Sequence, residues 1–210
     1  EFTGFDLELA AEVAKRLGME IKYQPIAWDA KEMEIESGNI DVIWNGFTST
    51  GRENDYTWSK PYMENKQVFV VSKDSGITKV EELKGKKVEV QVDSSGEKAL
   101  AENKELSDSF AELITTADYN TAFQDLEMGA TDAVAMDIIV AAYQLKKRGD
   151  GKYIILENEP ISTEEYGIGF KKGNTALRDA VDATLVEMAA DGTLKSVSEK
   201  WFDTDVTTIK

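Results

Sequence analysis

From residue 45 to residue 52 the chain reads Asn-Gly-Phe-Thr-Ser-Thr-Gly-Arg, a short run of hydroxyls and glycines that ends in an arginine. This set suits a small anion. Glycine lets the backbone come close, hydroxyl and amide groups donate, and a guanidinium takes a carboxylate through two parallel hydrogen bonds. The preceding residues 40–44, Ile-Asp-Val-Ile-Trp, form a near-continuous apolar run. That pattern predicts a strand buried on both faces of a parallel sheet, with the polar residues forming a loop beyond it. In open α/β sheets ligands bind outside the carboxyl ends of strands. A surface turn with a solvated arginine would have the same composition, so the remainder of the chain has to decide.

Composition removes several chemistries at once. The chain has 210 residues with neither cysteine nor histidine. Ser-His and Cys-His nucleophiles, thiolate and imidazole metal sites and a histidine base are therefore excluded, and neither a metal nor a cofactor is expected. The formal net charge of −16 repels nucleic-acid phosphates and anionic membrane surfaces, and no basic cluster offsets it. At 41% hydrophobic residues the chain has ample material for a core, as one large domain or two small ones. There is no apolar run of transmembrane length and no signal peptide. The first residue is Glu1, which leaves room for an upstream signal or lipid anchor.

The elements that must hold the 45–52 segment follow an alternating order. Phe5, Leu9, Val13 and Leu17 recur every fourth residue and predict a helix closed by Gly18. A strand is expected over 20–25, then a helix capped by Asp29 and ended at Gly38, then the strand at 40–44. Strands are expected again at 67–72, 87–92, 112–115, 132–136, 153–156 and 165–170. Helices are expected near 80–83, over 97–103, from a cap at Asn120 to 128, and over 138–147, 175–190 and 194–202. This order gives two α/β units with parallel sheets. With no low-complexity linker, the boundary must pass through strands, and 67–72 and 165–170 are the candidate crossings.

Seven stretches in order carry a resemblance. They are GFDLELAAEVAKRLG, WDAKEMEIESGNIDVIWNGFTSTGREN, WSKPY, VEELKGKKVEVQVDSSGEKAL, GATDAVAMD, YGIGFKKGN and MAADGTLKSVSEKWF. Together they resemble the extracellular solute-binding proteins of polar amino-acid ABC transporters, family 3. The resemblance implies an α/β fold of the type II periplasmic-binding-protein kind. Each lobe would be a mostly parallel sheet flanked by helices, joined by two crossover strands, with lobe 1 spanning 1–70 and 168–210 and lobe 2 spanning 71–167. It implies a non-enzyme that binds a free L-α-amino acid in an interlobe cleft, closes by a hinge and delivers it to a membrane permease. The location would be extracytoplasmic, either periplasmic or as a cell-surface lipoprotein. Members carry a first β-strand ahead of the GFD helix, and that strand is missing from lobe 1 here. A monomer is expected, with a strand-exchanged dimer as the alternative that an uncovered sheet edge invites.

Carried over by position, the resemblance assigns Arg52 to the ligand carboxylate. Thr48 would offer its N–H to the carboxylate and its hydroxyl to the ammonium, and Gly46 would offer its carbonyl to the ammonium. Ser94 and Ser95 would stand at a helix N-terminus in lobe 2, with the Ser95 N–H reaching the carboxylate. Asp137 would neutralise the ammonium, Trp28 would stack on the ligand side chain, and Asn45 would add a polar contact. Two positions depart from the family pattern: only Gly51 separates Thr50 from Arg52, and Asp93 stands where glycine is common. For Asp137 a plain helix cap is the competing role. Two other functions are open on the same scaffold. One is a dehydratase resembling those acting on cyclohexadienyl or arogenate substrates, and the other is a sensory ligand-binding module.

Overall fold

The computed structural model describes residues 2–149 and 151–210. The chain divides into two compact units: Glu1–Ile26, Ala30–Glu64 and Glu164–Lys210 form the first, Ala27–Asp29 and Asn65–Thr163 the second. Strands β3 (Met63–Ser72) and β8 (Ser162–Phe170) each begin in one unit and end in the other. The boundaries expected at 70/71 and 167/168 thus fall inside these same two strands.

In the first unit, α1 (Phe5–Arg16), α2 (Lys31–Ser37), α7 (Thr175–Ala190) and α8 (Thr193–Phe202) surround a small antiparallel ladder. Phe5, Leu9 and Val13 form the buried stripe of α1. The helix is tied to the chain's end by an edge contact of Phe5 on Phe202, with ring centroids 5.1 Å apart, and by Glu8 accepting from Trp201 Nε1 at 2.8 Å. Strand β1 (Val42–Thr48) pairs with β8 antiparallel, not parallel as expected, and the short β2 (Thr57–Trp58) pairs antiparallel with the same strand. A continuous apolar run reports burial on both faces; it carries no information about the direction of the neighbour.

β1 also runs four residues past its expected end. The residues Asn45-Gly46, which read as a stop, instead form an irregularity in the ladder between Ile43 and Phe47. Gly46 takes φ 68°, and a Cβ there would stand 3.3 Å from the Tyr166 ring, so glycine alone fits without strain. The strand expected over 20–25 is absent: no ladder forms there among the described residues. Asp29 is not a helix cap either, because it lies in a 3₁₀ turn, Trp28–Ala30, that leads directly into α2.

The second unit is a mixed sheet in the order β3-β6-β4-β5, with β7 (Tyr153–Ile155) beside β3. β4 (Lys87–Gln91) runs parallel to both β5 (Glu112–Thr116) and β6 (Ala133–Asp137), whereas β3 is antiparallel to β6 and β7. Alternation along the apolar strands serves two cores. Phe69, Val71, Ala133 and Ala135 meet Leu83, Leu100 and Phe110 on one face. Val68, Val70, Val134 and Met136 meet Phe123, Leu126 and Ala141 on the other. Helices α3 (Ser95–Glu102), α4 (Lys104–Ser107), α5 (Tyr119–Met128) and α6 (Ile138–Arg148) complete this unit. α5 is capped by Asp118, whose carboxylate accepts from Asn120 and Thr121 N–H, rather than by Asn120 itself. The aspartate has both lone pairs aimed at the first turn two residues earlier than the sequence pattern suggested.

Candidate ligand-binding site

On the first unit the expected anion loop lies at the end of β1. It is held against β8 by three bonds: Ser49 N–H and Oγ both donate to Glu165 O, and Thr50 Oγ1 accepts from Glu165 N–H at 3.1 Å. Arg52 N–H donates to Ser49 O at 2.9 Å and Gly51 takes φ 77°, so the loop turns back and brings the guanidinium over β1. Arg52 is only 9% exposed. Its Nη1 donates to Thr48 O at 3.3 Å, and its guanidinium carbon lies 5.4 Å from the centroid of the Phe47 ring. Trp58 Nε1 donates to Arg52 O at 2.9 Å and fixes the backbone beneath. Arginine is therefore lodged in the unit, not solvated on its surface.

Thr48 is buried, and its hydroxyl donates to Glu164 Oε1 at 2.9 Å. Gly46 donates its N–H to Asp6 Oδ2 at 2.5 Å. Burial pushes the Asp6 carboxyl from its ordinary 3.8 up to about 6, against the Tyr62 hydroxyl and Gly46 N–H, which favour the ionised form. Burial, followed by the facing Asp6 charge, in turn raises the Tyr62 hydroxyl well above its ordinary value. Asn45 points outward on the exposed face of β1.

On the second unit, Ser94 is the N-cap of α3, its oxygen accepting from Glu97 N–H at 3.1 Å. Ser95 is the first helical residue, where backbone N–H groups point out along the axis. Asp93 takes φ 56°, a left-handed conformation that explains why glycine suits this position and why aspartate is among the few replacements tolerated.

Asp137 ends β6 and is 9% exposed. It sits at the cap position of α6, yet its side chain makes no capping bond to that helix. Its carboxylate instead accepts from Asn65 Nδ2 at 2.7 Å, Gln67 Nε2 at 2.9 Å and the Tyr119 hydroxyl at 3.2 Å. Gln67 Nε2 also donates to Ser95 Oγ at 3.1 Å, so a single amide links the aspartate to the start of α3. Gly96 makes room for it, because a Cβ there would come within 2.7 Å of Gln67 Oε1. Trp28 is half-buried and clusters with this unit, although the chain on both sides of its short segment belongs to the first.

Residues 1–204 match the model of the bacterial extracellular solute-binding proteins, family 3. The chain belongs to this family. It is 37% identical to the L-cystine-binding protein TcyJ of Escherichia coli over 99% of its own length and 77% of that protein's. It is 32% identical to the L-cystine-binding protein TcyA of Bacillus subtilis, covering 98% of this chain and 75% of the other. Among solved structures, a substrate-binding protein of an ABC uptake transporter from Streptococcus pneumoniae with bound histidine superposes at a TM-score of 0.94. That structure is 34% identical, and the match covers 99% of this chain and 86% of the other. The family consists of binding proteins, so the dehydratase alternative is set aside.

Within this solute-binding protein, the first unit brings together Gly46, Thr48 and Arg52 along one strand and the loop that follows it. The second brings together Ser94, Ser95 and Asp137. Five residues that the sequence did not single out support them: Asp6, Asn65, Gln67, Tyr119 and Glu164. Period-two alternation could have found three of these. Asn65 and Gln67 share a face of β3, where an apolar residue would be expected. Glu164 shares the inward face of β8 with Tyr166, Ile168 and Phe170. Among the described residues no helix is long and apolar enough to cross a membrane, and no cluster of acidic side chains is arranged to hold a metal ion.

Proposed function

We propose that this chain binds a polar L-α-amino acid outside the cytoplasmic membrane and hands it to the permease of an ABC transporter. L-cystine and L-histidine, the ligands named for the relatives above, are the first candidates. The buried Arg52 guanidinium carries this reading, since it lies at the end of β1 over the Phe47 ring, a cation positioned to take a carboxylate. Asp137 is the complementary group. Its carboxylate is oriented by three donors and not spent on its own helix, which suits it to an ammonium. Arg52 and Asp137 would thus take the two ends of a zwitterion, with the Thr48 hydroxyl as a second acceptor for its ammonium. Trp28 and Asn45 are assigned to the ligand side chain, and Gly46 and Ser95 to backbone contacts with the ammonium and the carboxylate respectively.

The test is isothermal titration of the parent and of Arg52→Ala with L-cystine, L-histidine and the remaining common amino acids. Truncation leaves a desolvated carboxylate unpaired, a loss of about 2–5 kcal/mol, or roughly 30-fold or more in Kd. Parent and variant binding within a factor of two would remove Arg52 from the site. No binding of any of these amino acids to the parent would overturn the ligand class.

A further inference from the structure

Along β8 the inward positions are Glu164, Tyr166, Ile168 and Phe170, exposed by 5%, 2%, 0% and 0% respectively. An acid at the first of these breaks an otherwise apolar row. Burying a carboxylate has a cost that only well-placed donors offset, so the position calls for a reason beyond packing. The Thr48 hydroxyl lies 2.9 Å from Glu164 Oε1. The hydroxyl is the donor in this bond, and a threonine hydroxyl carries a single hydrogen. That hydrogen is therefore committed to Glu164, and Thr48 Oγ1 presents only lone pairs to anything else that approaches it. Lone pairs suit a donor such as an ammonium and repel the oxygen of a keto group or a carboxylate.

We propose that Glu164 is a positioning residue that fixes Thr48 as an acceptor and so makes the site demand an α-ammonium. This deepens the amino-acid reading and rests on Thr48 meeting the ligand's ammonium. Glu164 itself need not touch the ligand. Its contribution is to settle which way a hydroxyl points, which an isolated threonine leaves free to rotate.

The readout is a ratio, the Kd of a des-amino analogue divided by that of its amino acid. The probe pairs are 3,3′-dithiodipropionate against L-cystine, and 3-(imidazol-4-yl)propionate against L-histidine. They are titrated into the parent, Thr48→Val, Glu164→Leu, the double variant and Glu164→Gln, each checked for folding by circular dichroism and melting temperature. A hydrogen bond to a charged group predicts that the ratio falls about tenfold in Thr48→Val and in Glu164→Leu. It should fall no further in the double variant, because the two residues act as one unit. Glu164→Gln retains a carbonyl acceptor and should restore most of the ratio.

An unchanged ratio in Thr48→Val would show that the hydroxyl does not meet the ammonium, so the site assignment beneath the proposal would fail. A fall in Thr48→Val with none in Glu164→Leu would overturn the proposal alone. So would a Glu164→Leu effect of equal size with and without the Thr48 hydroxyl, which would mean that the carboxylate acts through its own charge. A purely structural Glu164 would weaken both members of a pair together and leave the ratio where it was. Failure of both amino acids to bind the parent would overturn the proposal together with the cystine and histidine assignment.

Discussion

Asp6 shows how a buried acid reports on the strand it supports. Its carboxyl accepts the Gly46 N–H and titrates near pH 6 in the folded chain, against an ordinary 3.8 when exposed. Between those two values the folded state keeps a proton that the unfolded state releases. The contribution of this group to stability is therefore complete below about pH 4 and is lost as pH rises through 6, amounting to about 3 kcal/mol at most. Asp6→Asn keeps a carbonyl for Gly46 N–H and has no such titration. Urea unfolding at pH 4, 5 and 7 should show the variant gaining on the parent by about 2–3 kcal/mol across that range. A stability difference that stays flat with pH would mean that folding does not raise the Asp6 carboxyl above its ordinary value. The sequence could supply Asp6 only as one of 40 acidic residues, because nothing local distinguishes a carboxylate that folding will bury from one left in water.

At the scale of elements, β1 was legible as a strand but not in its direction or its length. Apolar residues at 40, 42, 43 and 44 announce burial; the choice of β8 as an antiparallel neighbour depends on residues more than a hundred positions away. The reading of Asn45-Gly46 as a stop failed because a positive-φ glycine serves a turn and a ladder irregularity equally well. Its cost on substitution separates the two. Gly38 ends α2 at φ 77°, and a methyl group added there would find nothing within 4 Å, whereas the same methyl at Gly46 would meet Tyr166 at 3.3 Å. Gly38→Ala should then cost about 1–2 kcal/mol from backbone strain alone, and Gly46→Ala that amount plus the displacement of a buried ring. Equal urea midpoints for the two variants would place Gly46 in an open turn. The expected strand at 20–25 failed for a different reason, since an alternating segment forms a ladder only where a neighbour accepts its hydrogen bonds. Helices fared better, because caps and periodicity are local: α7 runs from 175 to 190, the two ends its pattern predicts.

For the whole molecule, the residues proposed for recognition come from both compact units. Arg52, proposed for the ligand carboxylate, belongs to the first unit and Asp137, proposed for the ammonium, to the second, so a ligand that uses both loses stabilisation when either is removed. A ligand bound to the folded state alone, at a hundred times its Kd, adds about 2.7 kcal/mol. For a chain of 210 residues this corresponds to a rise in Tm of about 6 °C, using the usual entropy of unfolding per residue. Arg52→Ala and Asp137→Asn, one on each unit, should each abolish most of that rise at the same ligand concentration. Asp137→Asn also exchanges an acceptor for an amide facing the Asn65 and Gln67 donors, so its own Tm without ligand must be recorded and the rise measured from there. If Asp137→Asn kept the full rise while Arg52→Ala lost it, recognition would lie on the first unit alone. The oriented carboxylate at the end of β6 would then serve the start of α3 through Gln67 and Ser95, a structural bond rather than a ligand contact.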